Sequence, residues 1–185
     1  MACDISLGRK EVCKDSIGGL RAVYFTNYAD VDPNGYTYDG TDTDMITEIT
    51  GAATLNAYKY ELKGSSTFDT NIVSSRENGT TYFEQTANLT FKKLTVEMHK
   101  EVKLLSYGNP RLLIEDNNGN FFWAGLKFGC DVTGGTIVSG AAMGDLSGYT
   151  LTLTGMELAP ANFVDLASDS ASALLAVGLT LVEGA

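Results

Sequence analysis

The stretch Tyr149 to Gly155 alternates without interruption: Tyr149, Leu151 and Leu153 fall on one side, Thr150, Thr152 and Thr154 on the other. Successive side chains of a strand point to opposite faces, so this period of two predicts a half-buried antiparallel strand. Thr80 to Lys92 repeats it, with Phe83, Ala87, Leu89 and Phe91 opposite Glu84, Thr86, Asn88, Thr90 and Lys92. It is predicted to form a hairpin with Thr67 to Ser74 around Glu77, Asn78 and Gly79, because Asn-Gly supplies the positive φ values of a tight turn. Leu55 to Lys63 sets Tyr58, Tyr60 and Leu62 against Lys59, Glu61 and Lys63, which reads as another half-exposed strand. Gly18 to Tyr28 is apolar on both faces and is expected in the middle of a sheet.

Only one segment changes period. Leu94, Met98, Val102 and Leu105 are spaced for one face of a helix over about 94–107, with Gly108 as its C-terminal cap and Pro110 to stop it. Its expected role is to cover an open sheet face. Arg111 to Glu115 and Phe121 to Phe128 predict a second hairpin around Asn117, Asn118 and Gly119, and Gly134, Gly135, Gly140 and Gly144 predict a loose link. Ala161 to Ala176, behind Pro160, is expected to begin as a short helix, and Leu175 to Val182 to end as a strand. Residues 1–17 have no periodicity and read as an extended arm. Residues of about 29–54, with Pro33, Asn34 and Gly35 as turn formers, read as a long loop. With so few apolar residues to anchor it, the excursion from Asp30 to Thr50 is not expected to be needed for folding of the subunit. The expected architecture is mainly β: an antiparallel β-sandwich or barrel with one flanking helix, in a single domain over 1–185.

Composition sharpens the exclusions. A chain of 185 residues can bury a core without disulfides or a structural metal. No stretch approaches the roughly 20 apolar residues of a membrane helix, so no membrane partner is expected. The first 16 residues carry charges where a signal peptide needs an apolar run. A net charge of -10 argues against gripping a nucleic-acid backbone, which rests on Lys and Arg. Acid concentrates at Asp30, Asp32, Asp39, Asp42, Asp44 and Glu48, with no Lys or Arg between them, as in a solvated loop. The three cysteines, Cys3, Cys13 and Cys130, have no C-x-x-C spacing. Cys130 is expected in the core, and a Cys3–Cys13 disulfide is not expected in a reducing compartment.

Catalytic constellations are hard to assemble. The single histidine, His99, falls beside Met98, off the apolar stripe of its helix, and is expected in solvent. Neither a Walker loop nor a dinucleotide fingerprint is present. Asp30, Asp32, Asn34 and Gly35 match the first half of a calcium loop, but its twelfth position is Thr41 where a bidentate Glu is needed, so a plain Asx-rich turn is expected. The sequons at Asn78 and Asn88 require a secretory route for which there is no signal. The expectation is therefore a non-enzyme with no catalytic residues, cofactor or metal.

The hairpin arm at Glu77 to Thr86 (ENGTTYFEQT) and the stretch Gly144 to Pro160 (GDLSGYTLTLTGMELAP), together with the order of strands and the lone central helix, resemble tail tube proteins of tailed bacteriophages over most of residues 18–160. The opening CDISLGRKEVCKDSIGGL resembles the start of virion proteins from phages of Bacteroidetes-type hosts. The resemblance implies a structural subunit that self-assembles into stacked, hexameric rings, with the arm and the long loop touching neighbouring subunits. It further implies assembly in the host cytoplasm, residence in the virion tail, contacts with other tail proteins, and genomic DNA passing through the lumen without specific binding. Two other classes fit the same composition. One is a head-decoration protein, and the other is a carbohydrate-binding sandwich that uses Trp123 and the tyrosines as stacking platforms.

Overall fold

The computed structural model describes residues 7–11, 13–51 and 54–184. The strands are Leu20–Thr26 (β1), Val31–Tyr38 (β2), Met45–Gly51 (β3), Leu55–Glu61 (β4), Thr67–Ser75 (β5), Thr80–Lys92 (β6), Arg111–Asp116 (β7), Phe121–Ala124 (β8), Asp131–Val138 (β9), Gly148–Glu157 (β10), Asn162–Val164 (β11) and Leu179–Glu183 (β12). Two helices, Val96–Leu105 (α1) and Ala171–Ala176 (α2), interrupt them. The strands form one sheet of order β12-β4-β1-β7-β8-β11-β3-β2 and a second of order β5-β6-β10-β9. Pairing is antiparallel except at β11–β3 and β12–β4, which are parallel.

The alternation in β6 and β10 sets the packing between the sheets. Phe91, Leu89 and Ala87 pair with Tyr149, Leu151 and Leu153, and all six are buried. They meet Val23, Phe25, Leu112 and Ile114 from one face of the large sheet in a single core. The opposite face of the large sheet carries Ala22, Tyr24, Leu113 and Trp123 and closes a second core with Ile46, Ile49, Leu174 and Leu179. For that second core to exist, the large sheet must curl. Its ends approach where Ile49 N–H donates to Val177 O at 2.8 Å. Gly178 permits the contact, because a Cβ there would lie 2.2 Å from Ile49 O. The curl does not close into a barrel, so the sandwich alternative holds and the barrel does not.

Several segments depart from the sequence reading. Residues 29–54, expected to be a loop, contain the β2–β3 hairpin. Val31, Ile46 and Ile49 are buried in the second core, and Tyr36 donates to Leu126 O and accepts from Trp123 Nε1. The few apolar residues sit where they anchor most, so this segment belongs to the fold. The glycine link at 134–135 is strand β9, held by its ladder to β10. Ala161 to Ala176 does not begin as a helix: β11 inserts between β8 and β3, and α2 starts only after Ser170, whose side chain accepts from Ala173 N. Strand β4 uses both faces, with Leu55 and Ala57 in one core and Leu62, just beyond it, in the other.

Helix α1 follows its signals closely. Thr95 caps it by accepting from Met98 N, and Gly108 N–H bonds Leu104 O and Leu105 O at the other end. As a lid it is thin: Val102 is its one buried residue, and Leu104 and Val96 face solvent.

Glu115 enters the interior with partial compensation. Its Oε2 accepts from Tyr24 Oη at 3.1 Å, and its Oε1 lies 3.3 Å from Arg21 Nη1. Burial lifts its carboxyl above the ordinary 4.5, although Tyr24 and Arg21 act to lower it. A raised carboxyl binds its proton more tightly when folded, so its contribution is full below 4.5 and is lost as pH rises through the raised value.

Two outcomes are expected. Ile49→Ala should cost about 2–5 kcal/mol in denaturant titrations, and replacing residues 31–50 with a Gly/Ser linker should abolish cooperative unfolding; a folded linker variant would return the segment to the loop class. Glu115→Gln should gain stability relative to the parent as pH rises from 4.5 toward 7. A stability difference that stays flat across that range would contradict the raised carboxyl.

Candidate assembly site

The outward face of the four-stranded sheet is built from the polar half of the alternation. Thr136 and Thr150 hydroxyls meet at 2.7 Å, Thr133 and Thr154 at 3.1 Å, and Thr152 Oγ1 donates to Asn88 Oδ1 at 2.9 Å. Asn88 Nδ2 reaches on to Thr67 Oγ1 at 3.4 Å, so side-chain bonds cross all four strands. The charges that alternate onto this face are acidic, Asp69, Glu84 and Asp131, with Lys92 at its end.

Among the described residues, both edges of this sheet, β5 and β9, end without a neighbouring strand. Strand β6 pairs with β10 only as far as Phe83 opposite Glu157, while it continues with β5 to Thr80 opposite Ser75. The far end of the β5–β6 hairpin therefore projects beyond β10 from Val73 and Tyr82 onward, and Ile72, 70% exposed, stands opposite Phe83 at the root of that projection.

At the start of β9 the turn 125–129 is held by side chains from many elements. Gln85 Oε1 accepts Gly125 N–H, Glu157 Oε1 accepts the N–H groups of Lys127 and Phe128 at 2.8 Å each, and Asn109 Nδ2 donates to Phe128 O. Arg111 Nε donates to Gly125 O, Tyr36 Oη to Leu126 O and Tyr28 Oη to Lys127 O. Arg111 is fully buried, bonds the Val31 and Tyr28 carbonyls through Nη1, and stacks 4.4 Å over the Tyr28 ring. A turn whose backbone is pinned at every peptide presents Phe128 to solvent, beside exposed Met156. Sequence reasoning missed this turn, because its partners are scattered along the chain.

The other residues singled out from sequence fall as follows. Trp123 is fully buried, so it offers no platform for a sugar. His99 is exposed, its ring 6.3 Å from that of Tyr149. Cys130 is buried, and burial pushes its thiol up to about 12, whereas Cys13 is exposed and Cys3 lies outside the described residues. Asn78 sits in the β5–β6 turn, and Asn88 faces outward. Asp32 Oδ1 accepts Asn34 N–H at 2.9 Å in an Asx turn, and Asp30 Oδ2 accepts from Asn27 Nδ2 at 3.0 Å. Gly35 serves strand approach, since a Cβ there would meet Thr50 Oγ1 at 2.5 Å. Around the tip of this hairpin, Asp39 accepts the N–H groups of Thr41 and Asp42, which draw its carboxyl below the ordinary value. Among the described residues no helix is long and apolar enough to cross a membrane.

No protein-family model, no curated protein and no solved structure matches the chain.

Chelation of calcium is expected to leave the Tm unchanged, because Asp30 and Asp32 spend oxygens on neighbouring amides. A fall of several degrees that added calcium restores would show that they converge on an ion.

Proposed function

We propose that this chain is the non-catalytic structural subunit of a bacteriophage tail tube, which assembles into stacked hexameric rings in the host cytoplasm and serves in the virion as a conduit for the genome. One observation carries the reading: a four-stranded sheet with one face buried, the other hydroxyl-lined, and both edges open. Because β5, β6, β10 and β9 alternate in direction, β9 of one copy runs antiparallel to β5 of the next in any ring of like-oriented copies. Such a ring continues one antiparallel sheet and removes both edges at once.

The dimensions fit a conduit. Six copies contribute about 24 strands; at about 4.8 Å between strands and a tilt of about 40°, the backbone circle is roughly 48 Å across. Threonine side chains leave a bore wider than duplex DNA. A face with hydroxyls already bonded to one another, and with Asp69, Glu84 and Asp131 against a single Lys92 at its end among the described residues, offers little basic grip to phosphate. DNA would pass without specific binding. Other tail proteins would meet the ends of the tube, and no membrane contact enters the reading.

The test is negative-stain microscopy with light scattering over a range of concentrations. The parent is expected to form rings or tubes. Ile72→Lys and Ile137→Lys, at exposed apolar positions on the two open edges, should stay folded by circular dichroism and lose them. A parent that stays monomeric at high concentration, or edge variants that build full tubes, would defeat this reading.

A further inference from the structure

Helix α1 leaves two adjoining clefts beside strand β4, one of about 540 Å3 toward the end of β1 and one of about 740 Å3 toward β12. Tyr58, Tyr60 and Glu101 line both, so they form one groove along the helix. Its floor is aromatic and its walls are acidic, with Glu61, Glu97 and Glu183 joining Glu101. Lys59 also lines it, but its ammonium is bonded to Asp169 at 2.9 Å. Glu97 and Glu101 stand one turn apart on α1, a like-charge spacing that destabilises a helix and that a cation in the groove would relieve. Burial pushes the Tyr60 hydroxyl up to about 12, and the Glu101 charge adds to that push. At the apolar end, Thr26 is fully buried and its Oγ1 has no hydrogen-bond partner among the described residues. An aromatic floor beneath an acidic wall suits an extended peptide that mixes apolar side chains with Lys and Arg.

The N-terminal arm is such a peptide. Its described residues from Leu7 to Gly19 are all exposed, and between Leu7 and Asp15 it carries Arg9, Lys10 and Lys14 against Glu11 and Asp15, on a protein whose net charge is -10. It is tethered by Asn118, which bonds both backbone groups of Ile17, and by Asn117, which donates to Gly18 O. Fully extended, residues 7–17 span about 35 Å, enough to cross onto a neighbour.

We propose that the arm of a second copy lies in this groove, with Leu7 over the tyrosines and Arg9 and Lys10 against Glu97 and Glu101. The inference rests on self-association of the chain and names the contact that ties one subunit to the next.

Cross-linking tests it on the full chain. One copy carries Cys3→Ser, so that Cys13 is its accessible thiol, Cys130 being buried. The other, with a larger tag, carries Cys3→Ser, Cys13→Ser and Glu101→Cys. A flexible bis-maleimide linker, long enough to cover the roughly 10 Å of extended chain between Lys10 and Cys13, should give a heterodimer from the mixture at least ten-fold above a control in which Thr136→Cys replaces Glu101→Cys. Arg9→Glu with Lys10→Glu should weaken association about ten-fold, and Glu97→Lys with Glu101→Lys in the same chain should restore it. If rings form with no heterodimer above the control, or the charge swap fails to rescue, the arm contact is wrong while the ring reading stands. A chain with Cys3→Ser and Glu101→Cys that closes only within itself also overturns the contact, in favour of an arm folded onto its own subunit. A strictly monomeric chain with no heterodimer removes both.

Discussion

The strand pair β1–β7 is buried on both faces, and the rest of the fold follows from covering both. Val23, Phe25, Leu112 and Ile114 look one way; Ala22, Tyr24 and Leu113 look the other. A sheet with one wet face would have left half of these side chains in water, at about 1.5–3 kcal/mol each. The four-stranded sheet covers the first side. The second is covered by the large sheet's own curl, which brings β3 and α2 over it. The parallel pairings of β11 and β12 follow from that curl, since late segments of the chain fill positions beside early strands.

Burying both faces also takes polar groups inside, and their placement explains the rigid turn. Arg111 ends up without solvent at the start of β7, with its guanidinium held by the carbonyls of Tyr28, Val31 and Gly125 and, among the described residues, no carboxylate bonded to it. A buried cation needs such oxygens. Supplying one of them fixes Gly125, and Gln85, Glu157, Tyr36 and Tyr28 then satisfy the peptides that follow. The arrangement that makes Arg111 tolerable inside is therefore the one that locks Phe128 outside.

Segments whose pattern is local were legible in sequence. Tyr149 to Gly155, Thr80 to Lys92 and the helix with its Thr95 and Gly108 ends lie close to where alternation and helical spacing put them. The β2–β3 hairpin, β9 and β11 were not, because their stability is non-local. β11 has only three residues and exists through partners on both sides, and β9 carries Gly134 and Gly135, which by themselves read as a link. The candidate assembly site divides in the same way. Its threonine face and projecting hairpin can be read from periodicity, whereas the pinned turn draws on residues up to 99 positions apart, and no window of sequence contains them.

On the proposed reading, the open edges explain why assembly would yield rings or tubes and not symmetric dimers. Edges β5 and β9 differ in sequence and lie on opposite sides of the small sheet, so joining one to the other is a heterologous contact, which repeats until the rotation closes or continues as a helix. The right-handed twist of a sheet fixes the sense of rotation at each step, and curvature fixes how many steps close. The first core holds the small sheet against β1 and β7, so its curvature belongs to the folded subunit before any neighbour arrives. If rings form, their size would be a property of how Phe91, Leu89 and Tyr149 pack beneath the sheet, and changes to those buried residues would alter assembly without touching an edge.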